Sequence, residues 1–128
     1  MAHGMFVWNE LATDDVEAAK RFFAETLGWS YHAMGMPGGG TYWIAQAEGK
    51  EVAGLFDKRQ IGLGSAPAHW LAYVDVDDID ARLKLAETNG AKIHRAAFDI
   101  PGVGRIGILA DPTGAALGFI TPVPRPTA

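Results

Sequence analysis

Two stretches of this chain are copies of each other, and a chain built that way folds into two equivalent halves. Thr13-Asp14-Asp15-Val16-Glu17-Ala18 is answered by Val76-Asp77-Asp78-Ile79-Asp80-Ala81 at an offset of 63 (77 minus 14), pairing Asp14 with Asp77, Asp15 with Asp78 and Ala18 with Ala81. One residue is then dropped, and Ala24/Ala86, Glu25/Glu87, Thr26/Thr88 and Gly28/Gly90 follow at an offset of 62. Further on the offset is 64, in Gly40/Gly104, Ile44/Ile108 and Gly54/Gly118. Unrelated amphipathic helices would share an apolar period, but not also an acidic start and a glycine stop.

Each copy reads as a helix set among strands. Asp14 is placed to cap the first turn, with Glu17 three residues on as in a capping box, and the acidic start suits the positive end of the helix dipole. Val16, Ala19, Phe23 and Leu27 share one face, and Gly28 supplies the left-handed stop. In the second copy Asp77 caps, Ile79, Leu83 and Ala86 form the stripe, and Gly90 terminates. Strands are expected at 5–12, 29–33, 41–45 and 51–56 around a helix at 14–27, with a glycine-rich loop at 35–40. The second set has strands at 69–76, 91–98, 105–110 and 115–121 around a helix at 78–89. Asp111-Pro112-Thr113-Gly114 turns its last hairpin.

The expectation is one α+β domain over residues 1–128: a βαβββ module at about 5–57, a joint at about 58–67, a second module at about 68–121 and a tail at 122–128. Two such modules form a pseudo-symmetric curved sheet around a cleft, with the helices outside.

Composition removes several function classes. A net charge of −4 with scattered Lys and Arg leaves no basic footprint for nucleic acid. The absence of cysteine removes disulfides, thiolate zinc sites and a cysteine nucleophile. No apolar run approaches the roughly 20 residues that cross a bilayer, and no signal-peptide pattern opens the chain. No membrane partner and a cytoplasmic location are therefore expected. The glycines at 38–40 precede a strand rather than a helix, so they are not a phosphate-binding loop.

With Glu10-Leu11-Ala12-Thr13-Asp14-Asp15-Val16, Phe22-Phe23-Ala24-Glu25-Thr26-Leu27-Gly28-Trp29, Val76-Asp77-Asp78-Ile79-Asp80-Ala81 and Asp111-Pro112-Thr113-Gly114 in place, the chain resembles the vicinal oxygen chelate superfamily. That group holds glyoxalase I, bleomycin-resistance proteins and extradiol dioxygenases, and the resemblance runs from about Phe6 to Ile120. Its motifs are specific for the fold, not for an activity. The resemblance implies that metal-dependent members place one ligand near the start of the first strand of each module and another, often Glu, on the last. Matching those positions gives Trp8 and Leu71, then Gly54 and Gly118, none of which offers a side-chain donor. No metal and no cofactor are expected. A relocated site would fall to Glu10 and His69, two donors where three or more are wanted.

The resemblance opens its cavity on the strand face that carries Trp8 and Glu10. Glu10 is then either a pocket carboxylate, fit to act as a base or to pair a ligand amine, or a structural group bonded to Tyr73, its counterpart at an offset of 63. The expected ligand-binding set is Trp8, Glu10, Tyr42, Leu71, Tyr73 and Phe98, with Glu10 the candidate catalytic residue. Three readings follow. The first is a metal-free binder of an aromatic or apolar small molecule. The second is an enzyme of the same superfamily (lyase, isomerase or dioxygenase-like), using Glu10 as base or a rearranged metal. The third is an interaction module without a ligand. Apolar sheet edges and faces point to a homodimer.

Overall fold

A computed structural model describes residues 2–36, 38–61 and 65–123. Pro37, Gly62 and Gly64 of the expected loops, and the expected tail beyond Val123, lie outside the described residues. The chain runs β1 (Phe6–Thr13), α1 (Val16–Leu27), β2 (Ser30–Gly35), β3 (Thr41–Ala47) and β4 (Lys50–Asp57), then a 3-10 turn at Lys58–Ile61. It continues as β5 (His69–Asp75), α2 (Ile79–Thr88), β6 (Lys92–Ile100), β7 (Gly104–Ala110) and β8 (Ala116–Pro122). The βαβββ order occurs twice, as the duplication requires. Contacts gather the chain into two compact units, Trp8–Leu71, and the residues up to Val7 with those from Ala72 on.

In the first unit the strands lie in the order β2-β3-β4-β1. β3 is antiparallel to both neighbours and β1 is parallel to β4, with Glu10 beside Gly54 and Leu11 beside Leu55. Side chains alternate across a strand, so one face carries Leu11, Ala45, Ala53 and Leu55, all buried against Ala19 and Phe23 of α1 with Trp29, Tyr31 and Trp43. Burying a large apolar side chain there is worth about 1.5–3 kcal/mol. Trp8, Glu10, Tyr42, Gly54 and Phe56 belong to the opposite face.

The helix caps differ from expectation by one residue. Asp15, not Asp14, accepts the Ala18 N–H at 3.0 Å, because Thr13 at the end of β1 draws in the Asp15 N–H through its hydroxyl at 3.2 Å and sets Asp15 just outside the helix. Glu17 makes no capping box and instead holds Lys20 at 3.2 Å. Gly28 does stop the helix, at a φ of 74° that other residues adopt only with strain. Leu27, assigned to the apolar face, stands exposed in the last turn.

The second unit has the order β5-β8-β7-β6, with β5 parallel to β8 and the remaining pairs antiparallel. Val76, Ile79, Leu83 and Leu109 form its core with Ala86, Leu117 and Phe119. Here Asp78, not Asp77, caps by accepting the Ala81 N–H at 3.3 Å. Asp77 is engaged elsewhere, accepting two bonds from the Arg82 guanidinium at 2.8 and 3.0 Å. The cap at the far end is Asn89, one residue before the expected Gly90. The Thr121 hydroxyl accepts from Ile79 N–H and donates to the Val76 carbonyl, fastening β8 to the start of α2. In the last hairpin, the Asp111 carboxylate accepts from the Thr113 N–H and hydroxyl and from the Ala115 N–H. Among the described residues no helix is long and apolar enough to cross a membrane.

Candidate functional site

Two neighbours on β1 and one residue from far along the chain form one hydrogen-bonded chain on the face of the first unit turned away from α1. The Trp8 indole N–H donates to the Tyr42 hydroxyl at 2.8 Å, and that hydroxyl donates to Glu10 Oε2 at 2.8 Å. Trp8 and Glu10 arrive two apart on β1, while Tyr42 comes from β3, across the intervening β4. Phe56, two residues past Gly54 on β4, stacks on Tyr42 with centroids 5.9 Å apart.

Glu10 is 7% exposed. A carboxylate that far from water is costly unless hydrogen-bonded, and Tyr42 is one of its partners. Burial foremost, and then the adjacent Glu10 charge, push the Tyr42 phenol well above its ordinary value, against an opposing pull from the Trp8 bond. Tyr42 therefore stays protonated and remains a donor throughout the physiological range. Phe56 is buried behind the Tyr42 ring, so the set can place a ring against Trp8 and Tyr42, which keep partial exposure, and present a carboxylate whose orientation is held by a phenol.

The other expected site residues lie as follows. Leu71, in the same unit, is buried. Tyr73 and Phe98 belong to the second unit. Tyr73 is fully buried beside Gly118 in register, and Phe98 carries the Arg95 guanidinium over its ring at 3.9 Å. His69 directs Nδ1 at the Pro67 carbonyl 2.8 Å away. Sequence reasoning missed Phe56, although its two-residue step from Gly54 puts it on the same strand face.

The residues present do not fit the metal that the resemblance implies. Beyond the lack of donors at Trp8, Gly54, Leu71 and Gly118, the space over both glycines is taken. A Cβ on Gly54 would fall within the Tyr42 phenol, and one on Gly118 within the Tyr73 ring. Among the described residues no group of three or more His, Cys, Asp or Glu stands ready for an ion.

Residues 5–119 match the family described as the Glyoxalase/Bleomycin resistance protein/Dioxygenase superfamily. The chain is 34% identical over 122 residues to CFP32 of Mycobacterium tuberculosis, whose name provisionally makes it a glyoxylase. It is 34% identical over 126 residues to the anthracycline biosynthesis protein DnrV of Streptomyces peucetius. These matches cover 95% and 90% of this chain but 46% of each relative, so the chain spans about half their length. A crystal structure of methylmalonyl-CoA epimerase from Mycobacterium tuberculosis superimposes with a TM-score of 0.64 at 17% identity, over 94% of this chain and 89% of that one. A Streptomyces coelicolor methylmalonyl-CoA epimerase in complex with 2-nitronate-propionyl-CoA gives 0.64 at 14%, over 97% and 100%. At those identities the likeness speaks for the fold alone. A match over nearly the whole chain, two relatives at a third identity and a twice-repeated βαβββ order agree: the chain belongs to the glyoxalase/bleomycin resistance protein/dioxygenase superfamily.

Proposed function

We propose that the protein binds a flat, largely apolar small molecule on the Trp8–Tyr42 face of its first unit, without a metal at the superfamily positions. The observation that carries this reading is the half-buried Trp8–Tyr42 pair hydrogen-bonded to the buried Glu10. A carboxylate at this place is poor material for a core, whereas aromatic walls with one oriented polar group suit a ligand site. The name of the relative DnrV supports a polycyclic aromatic ligand. A second reading, an enzyme with Glu10 as general base, is favoured by the same carboxylate, and the provisional name of CFP32 supports it. Cytoplasmic location and a two-fold homodimer complete the proposal.

A hydroxyanthraquinone serves as probe. Binding to the folded state alone should quench tryptophan fluorescence and raise the melting temperature, by about 2.7 kcal/mol of stabilisation at a hundredfold excess over Kd. Glu10→Gln keeps shape and removes charge. For an apolar ligand its Kd should stay within about threefold, and for a cationic one weaken roughly ten- to hundredfold. For a base, turnover should collapse while binding persists. Failure of aromatic probes to shift the melting point or the fluorescence rules the binding reading out.

A further inference from the structure

Gly54 and Gly118 occupy equivalent places: each sits on the last strand of its βαβββ set, beside the first strand in parallel register. Both are covered by a tyrosine ring, but the rings come from different places. Over Gly54 it is Tyr42 of β3, and over Gly118 it is Tyr73 of β5. The duplicate of Tyr42, at the offset of 64 found for this part of the chain, is Ile106; the duplicate of Tyr73 is Glu10. A shared ancestral tyrosine does not account for that arrangement. Each half fills the same volume by its own route.

We propose that these two tyrosines are plugs that close the side-chain space over β4 and β8, so that the loss of a metal site there is steric as well as chemical. A carboxylate-bearing side chain at either glycine must leave its strand through the volume the ring holds. In the first unit the plug also places its hydroxyl on Glu10, so a polar contact to a phenol stands where a ligand side chain would begin. The inference concerns the glycine–tyrosine pairs and holds whether or not the small-molecule reading does.

The test is a pair of compensation cycles read by thermal melting, with calorimetric titration of Ni²⁺, Zn²⁺ and Mn²⁺. Gly54→Ala should lower the melting temperature by about 5–10 °C through overpacking. In a Tyr42→Ala background the same substitution should cost close to nothing. Tyr42→Phe, which keeps the ring and drops the hydroxyl, should leave the Gly54→Ala penalty in place. Gly118→Ala should behave likewise against Tyr73→Ala. If Gly54→Ala fails to fold but its Tyr42→Ala double variant folds, the plug is upheld. If the double variants are as damaged as the single ones, or Gly54→Ala is as stable as the wild type, the rings do not fill that space and the proposal falls. Wild-type protein should give no heat and no melting shift with any of the three ions. Stoichiometric binding that Tyr42→Ala or Glu10→Gln abolishes overturns it.

Discussion

Tyr42 does two things at once, and its two halves separate experimentally. Its ring stacks on Phe56 and covers Gly54, while its hydroxyl accepts from Trp8 and donates to Glu10. Tyr42→Phe preserves the ring but takes one partner from a buried carboxylate and strands the Trp8 N–H, which should cost about 1–3 kcal/mol. Glu10→Gln retains an acceptor for the phenol and should cost less than Tyr42→Phe in urea unfolding at neutral pH. The reverse order would mean that Glu10's charge, and not its bond to Tyr42, holds this face together. The role of Glu10 was half legible beforehand. Its duplicate Tyr73 was identified by spacing, and the registers Glu10–Gly54 and Tyr73–Gly118 agree with that equivalence, but nothing local to β1 indicates which strand supplies its donor.

Among the elements, α1 is the more informative helix. Its cap is a one-residue matter: Asp15→Ala should cost about 1 kcal/mol and Asp14→Ala a few tenths, as measured by urea unfolding. Equal losses would restore Asp14 as the cap. Aromatic surface on this helix and on β5 beside it is open to solvent. Phe22 is 59% exposed and Trp70 44%, and both join the core through Phe23, at centroid distances of 5.0 and 5.7 Å. Arg21 and Glu25 lie on the same flank of Phe22, and neither takes part in an ion pair among the described residues. Two copies of α1 packed antiparallel about a two-fold axis bring Arg21 of one against Glu25 of the other, twice, whereas a parallel pair does not. For the proposed homodimer this face is the expected contact. Sedimentation at tens of micromolar should find a dimer that Phe22→Gln or Arg21→Glu weakens, and that Arg21→Glu with Glu25→Arg recovers. A wild-type monomer, or a dimer untouched by these changes, excludes α1 as the contact.

At the scale of the whole molecule, acid should unfold the protein through its paired aspartates. Arg59 holds the Asp57 carboxyl down at about 2, chiefly through its side-chain bond. Arg82 lowers Asp77, Arg105 lowers Asp80, and Thr113 with neighbouring backbone N–H groups lowers Asp111. A carboxyl that is more acidic when folded binds more protons when unfolded, so its contribution is complete above the unfolded value of about 3.9 and is lost as pH falls through the folded one. The melting temperature should stay level from about pH 7 to 5 and decline from there towards pH 2. Half-molar salt should shrink the decline, because these pairs are largely exposed. Asp77→Asn should melt lower at pH 7 and show a shallower slope. A melting temperature that rises on acidification contradicts the assignment.

The sequence by itself determined the duplication, the βαβββ order of each half, the Gly28 stop of α1 and the Asp111 turn, because these rest on interactions within a few residues of chain. It also determined that Trp8 and Glu10 share one face of β1, since alternation along a strand is local. The tertiary structure decided what that face does. β1 lies beside β4, not beside β2 or β3, and only that order carries Tyr42 over Gly54 to reach Glu10. The pairing joins residues 32 apart through a third strand, and its register is set by how apolar faces close on α1, not by the propensity of any segment. Even the caps followed this division: the acidic pairs Asp14–Asp15 and Asp77–Asp78 were plain, but a neighbouring threonine in one case and an arginine in the other chose which member turned to the helix.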